Sequence, residues 1–141
     1  MNEALSQDLR VQVALGASLL EVFSVALPWM QVGGISISGI QVAWILAPGA
    51  LLFAIFFLVP SGLGMLSVVV LRRKDYGWLT RLGLMILLTH VALLVAFLLG
   101  GQKDAAVAWG WLVSILAAGI LLFVSREIVR AEPEGANLRG P

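Results

Sequence analysis

The chain has no cysteine and a single histidine, and only 12% of its 141 residues are charged. Without cysteine there is neither a disulfide framework nor a thiolate metal site. One histidine excludes a pair of spaced imidazoles completed by carboxylates. There is likewise no Gly-x-Ser-x-Gly elbow and no glycine loop ending in lysine, so the common metal, acyl-transfer and phosphate-binding signatures are missing. The nine Lys and Arg residues flank apolar runs instead of forming a basic stripe, which leaves nucleic-acid binding unsupported.

What the chain has is apolar surface. Hydrophobic residues make up 60% of it, far more than one small domain can hide from water at this low charge content. Residues 42–71 and 105–125 contain no charged side chain, and 82–102 contain only the titratable His90. Each run is long enough to cross a hydrocarbon core of about 30 Å. A fourth run, 11–29, is interrupted by Glu21 alone. One mid-span carboxyl costs about 3 kcal/mol on insertion scales, less than the surrounding Leu, Val and Phe residues return. Glu3 and Asp8 stand ahead of that run against Arg10, unlike the positive start of a cleaved leader. The expected fold is therefore an all-α integral membrane protein, a four-helix bundle with spans at about 11–29, 48–71, 82–100 and 105–125. A ten-residue N-terminus precedes it, and a polar tail, 126–141, follows.

Eight of the nine Lys and Arg residues fall before span one, between spans two and three, or after span four; Lys103 stands alone on the other side. The positive-inside rule then places both termini and the central loop in the cytoplasm, with a bacterial inner membrane as the default location. Arg72, Arg73, Lys74 and Arg81 are the topology anchors facing anionic headgroups, and Tyr76 and Trp78 beside them suit the interface.

The first external connection reads as a β-hairpin. Gly33-Gly34 supplies the positive φ angles of a two-residue turn, so Met30-Gln31-Val32 is expected to pair with Ile35-Ser36-Ile37. Trp29 and Trp44 flank it where an aromatic belt would lie. In span two, Pro48 suits the first turn of a helix beginning there, and Pro60, Gly62 and Gly64 suggest a kink or hinge. In span four, Gly110, Ser114 and Ala118 recur every four residues and form a small face against which another helix can approach closely. Four spans with both ends inside, and a first external loop of β character containing tryptophan, resemble the claudin-type tetraspan layout. The Gly-Leu-Trp motif and cysteine pair of that family's loop are absent, so no residue and no junction function carries over.

Glu21 and His90 are the candidate site. Residues at helical spacing from Glu21 (Ala14, Ala17, Ser18, Ser24, Pro28) are small or weakly polar, which makes this a packing face. Glu21 lies about 15 Å from the start of its span and His90 about 12 Å from the start of its own. Both spans enter from the same side, so the depths match and a buried contact is expected, neutral or ionic. Three roles are open to the pair: structural glue between helices, a proton or ion path, and a pigment or haem ligand through His90. Ser36 and Ser38 lie in the external loop, too far from His90 for a serine–histidine dyad. By elimination, the expected function is a non-catalytic accessory or scaffold subunit that packs against other membrane proteins or copies of itself. The alternative is a small oligomeric transporter or channel using Glu21, His90 and the Pro60 kink; an intramembrane enzyme ranks third, and the sequence identifies no cofactor.

Overall fold

The computed structural model describes residues 2–41, 59–99 and 105–131. They are mostly helical, with a small three-stranded sheet: α1 (Asn2–Ser24), β1 (Pro28–Val32), β2 (Ile35–Ser38), α2 (Val59–Arg72), α3 (Tyr76–Leu99), β3 (Ala105–Val107) and α4 (Trp109–Ala131). Contacts run α1 to α2, α2 to α3, α3 to α4 and back from α4 to α1. Among the described residues two helices, α3 with 24 residues and α4 with 23, are long and apolar enough to cross a membrane. A 24-residue helix rises about 36 Å, more than the hydrocarbon core requires.

The interior combines an apolar core that includes Trp29, Leu79, Ile86, Trp111 and Leu121 with several polar side chains, while large apolar side chains also cover part of the surface. Ser18, Glu21, Ser24, Ser67, His90, Ser114 and Ser125 are all fully buried. Phe23, Met65, Leu88, Leu98, Leu112, Leu116 and Phe123 stand on the outside. The buried hydroxyls mostly turn back onto their own helices: Ser18 Oγ donates to the Ala14 carbonyl at 2.9 Å, and Ser67 Oγ to that of Leu63 at 2.9 Å. No buried hydroxyl in this pattern needs water.

The β-hairpin forms as its sequence dictates. Gly33 (φ 56°) and Gly34 (φ 82°) both adopt left-handed backbone, and the register pairs Val32 with Ile35, Gln31 with Ser36 and Met30 with Ile37. A third strand joins on the other edge of β1, where Met30, Gln31 and Val32 pair antiparallel with Val107, Ala106 and Ala105. The start of the expected fourth span is thus a strand, and the helix begins only at Trp109. Ala-Ala-Val is apolar enough for either state; what decides is the open edge of β1, whose N–H and C=O groups need partners. At its other end α4 runs to Ala131, past the boundary expected at 125, because Ser125 and Ile128 continue its buried face.

Other boundaries shift for local reasons. Helix α1 ends at Ser24, five residues short of the expected limit, and its last turn tightens through Ala26 N–H to Phe23 O and Leu27 N–H to Ser24 O. Residues 39–41 are already helical, well ahead of the start expected at Pro48. Ser38 and Gln41 form a capping box there: Gln41 N–H donates to Ser38 Oγ at 3.2 Å and Ser38 N–H to Gln41 Oε1 at 2.9 Å. Pro48 and Trp44 lie outside the described residues.

Between α2 and α3 the chain reverses within three residues. Lys74 adopts a left-handed φ of 59°, with its N–H on the Leu71 carbonyl at 3.1 Å and the Asp75 N–H on that of Val70 at 3.2 Å. This is a Schellman ending with lysine at the position glycine usually fills. Asp75 then caps α3, its Oδ1 accepting from Trp78 N–H at 3.3 Å.

Candidate functional site

The structure brings Glu21 and His90 together through a third residue. Glu21 comes from the last two turns of α1, His90 from the middle of α3 and Ser114 from the second turn of α4, and all three have zero exposure. Ser114 Oγ lies 2.8 and 2.9 Å from the two carboxyl oxygens of Glu21 and 2.5 Å from His90 Nε2. Glu21 Oε1 and His90 Nε2 are 3.2 Å apart. The other ring nitrogen, Nδ1, is 2.9 Å from the Ile86 carbonyl one turn earlier on α3. A carbonyl only accepts, so Nδ1 carries a proton, and Nε2 is the nitrogen whose state can vary.

One hydroxyl proton serves the bridge. With a protonated Glu21, the carboxyl donates to Ser114 Oγ and the hydroxyl donates to an unprotonated Nε2. With an imidazolium, Nε2–H donates to Ser114 Oγ and the hydroxyl donates to the carboxylate. The same heavy-atom positions satisfy both states, and they differ by two protons moving along the chain Glu21–Ser114–His90.

The arrangement differs from that of a serine nucleophile. There the carboxylate orients histidine through Nδ1, whereas here Nδ1 faces a backbone carbonyl and the carboxyl sits on the serine side. Ser114 is also fully buried. Both imidazole nitrogens are engaged within the chain, so His90 presents no lone pair to a haem or chlorophyll in this arrangement. Among the described residues no group of three or more His, Cys, Asp or Glu side chains is placed to hold a metal.

Two tryptophans cover the site. Trp29 meets the His90 ring edge-on, with centroids 5.8 Å apart, and stacks on Trp111 at 5.6 Å; Phe97 leans on Trp111 at 6.0 Å. Trp29 is therefore fully buried and not part of an interfacial belt. A register shift between Pro28 and Met30 turns its indole inward, where Nε1–H donates to the Ser24 carbonyl at 2.8 Å. Gly39 makes room: a Cβ there would lie 2.9 Å from the indole. Trp111 Nε1 is buried without a hydrogen-bond partner.

The small face of α4 is consumed inside the chain. Gly110, Ser114 and Ala118 are all buried, Gly110 lying directly against the Pro28 carbonyl and Leu27 Cβ. It is therefore not free to receive a second protein, as the sequence allowed. The expected hinge residues divide. Gly64 is a close-approach position, its would-be Cβ 3.0 Å from Val22 and 3.3 Å from Glu21 Cγ, whereas Gly62 faces open space. From Val59 onward the helix is continuous through Pro60, Gly62 and Gly64; the turn before Pro60, where a kink would show, lies outside the described residues. Arg72, Arg73, Lys74 and Arg81 are all exposed.

Ser114 as the bridging group and the tryptophan lid escaped sequence reasoning. The usable signal for Ser114 was a hydroxyl on the same small face and well inside span four; for Trp111 there was none beyond its apolar surroundings. No family model, no curated protein and no solved structure matches the chain.

Proposed function

We propose that the chain is a four-span membrane protein with both termini in the cytoplasm, acting as a non-catalytic accessory or scaffold subunit that packs against other membrane proteins or copies of itself. The observation that carries this reading is the sealed interior: Glu21, Ser114 and His90 satisfy one another at zero exposure while large apolar side chains face outward. A polar clasp of this kind fixes the register of three helices. It reaches neither water nor substrate, and the outer faces of α3 and α4, with Leu88, Val95, Leu112 and Leu116 exposed, remain for lipid and partner helices. The basic residues concentrated at one end support the inward orientation.

The test is purification of tagged full-length protein from its own membranes in a mild detergent, with identification of what accompanies it. A stoichiometric membrane-protein companion, or a defined homo-oligomer, supports the scaffold reading. A monodisperse monomer without companions counts against it.

A second reading rests on the two interchangeable proton arrangements of the Glu21–Ser114–His90 chain, which is the geometry of a relay element. Proteoliposomes loaded with a pH-sensitive dye separate the two. Proton flux abolished by Glu21→Gln favours the relay, and an absence of flux leaves the clasp.

A further inference from the structure

A groove of about 420 Å³ opens between the first turns of α3 and the last turns of α4, lined by Gly77, Thr80, Arg81, Arg126, Val129 and Arg130. Three guanidinium groups and no carboxylate line it. Among the described residues Glu127 Oε1 pairs with Arg130 Nη1 at 3.2 Å and partly neutralises it, and Asp75 caps α3, so Arg81 and Arg126 are the groove's cations that no carboxylate pairs with. Arg81 lies over the Trp78 ring at 5.2 Å, which aims its charge without neutralising it. Gly77 stands in the first turn of α3, where backbone N–H groups have no intrahelical acceptor and the helix dipole favours an anion.

Depth decides what such a groove receives. Measured along α3, residues 82–99 rise about 27 Å, and along α4, residues 109–125 rise about 26 Å. Arg81 and Arg126 therefore stand side by side where the hydrocarbon ends and phosphates begin. We infer that this groove binds the phosphate headgroup of an anionic phospholipid in the cytoplasmic leaflet, gripped by Arg81, Arg126 and Arg130. The inference rests on the membrane reading above. Arg81, Arg126 and Arg130 are as exposed as Arg72, Arg73 and Lys74, but they differ in lining one defined cleft from two helices, where forked donors match phosphate oxygens.

The experiment is native mass spectrometry of the full-length protein in mild detergent with phosphatidylglycerol and phosphatidylcholine of matched acyl chains. Phosphatidylglycerol is expected to be retained over phosphatidylcholine, and removing Arg81 or Arg126 should each lower its affinity about fivefold, so R81Q/R126Q/R130Q together should lose about 25-fold or more. R72Q/R73Q/K74Q should lose far less. Equal retention of the two lipids, unchanged binding by the first triple variant, or equal loss in both triples overturns the inference. Glycerol phosphate competing as well as the lipid also overturns it, assigning the groove to a soluble phosphate. If circular dichroism shows the triple variant misfolded, R126Q alone carries the test through its fivefold loss. Alkaline carbonate extraction of membranes checks bilayer insertion independently. A chain that stays in the membrane without lipid preference refutes only the groove, whereas one that washes out refutes the membrane reading.

Discussion

Replacing Glu21 or His90 by leucine tests the clasp directly. Glu21→Leu leaves His90 Nε2 and the Ser114 hydroxyl without the carboxyl that both now face at 3.2 Å or less, in a site with no access to water. His90→Leu leaves the carboxyl with the Ser114 hydroxyl alone. Removing one partner of a fully uncompensated buried pair costs about 3–5 kcal/mol; here the surviving Ser114 bond to His90 Nε2 or to the carboxyl reduces that to about 1–3 kcal/mol. Removing both leaves an apolar site of similar volume, with Ser114 free to bond its own helix, and the double variant should be no worse than either single one. The coupling in a Glu21/His90 double-mutant cycle should therefore be about 1 kcal/mol or more, in the sense that the pair is lost more cheaply than the sum. The measurement is equilibrium unfolding in mixed micelles, read by tryptophan fluorescence, since Trp29 touches both His90 and Trp111. Additive single effects, with coupling indistinguishable from zero, would refute the reasoning and reduce the pair to neighbours by chance.

Three further outcomes follow from named contacts. Lys74→Gly should stabilise the protein by about 1 kcal/mol, because glycine adopts without strain the left-handed φ of 59° that lysine holds here, and a raised midpoint in the same unfolding titration checks it. Asp75→Ala should cost about 1 kcal/mol through loss of the α3 cap, visible as faster amide exchange at Trp78. Gly110→Ala should cost about 1–3 kcal/mol because its Cβ would press on the Pro28 carbonyl, whereas Gly119→Ala, facing open space, should gain up to about 1 kcal/mol of helix propensity. Comparable thermal midpoints for those two variants would contradict the packing described.

Some of this was legible without coordinates because it depends on local chemistry. Two adjacent glycines can take the positive φ of a two-residue turn, so the hairpin and its register around Gly33-Gly34 were readable in advance. A lone carboxyl and a lone imidazole at matching depth have strong reason to meet in an apolar interior, and the small residues around Glu21 marked its face as a packing face. Hydropathy located α3 and α4, but of their four ends only the C-terminal end of α3 fell within a residue of its expected place, the others being four to six residues off. Pairing across the chain was not legible. Whether Ala105–Val107 is helix or strand depends on the free edge of β1, more than seventy residues away, and apolar composition is the same in either case.

The sequence by itself determined that the chain is 60% hydrophobic with long charge-free runs, that its cations cluster between and after those runs, and that Glu21 and His90 stand alone as ionisable groups within apolar runs and need partners. Only the tertiary structure decided who those partners are. Ser114 was legible as part of a small face, but its role as the hydroxyl joining Glu21 to His90 exists only when α1, α3 and α4 pack at one depth. Trp29 was legible as an aromatic beside a loop, but a shift in strand register and the missing side chain of Gly39 turned it inward over the site. The small face of α4 was legible as a place for close approach, and the fold filled it with the chain's own α1 and β1. In each case spacing along one helix specifies a face, while what the face meets is set by packing among segments far apart in sequence.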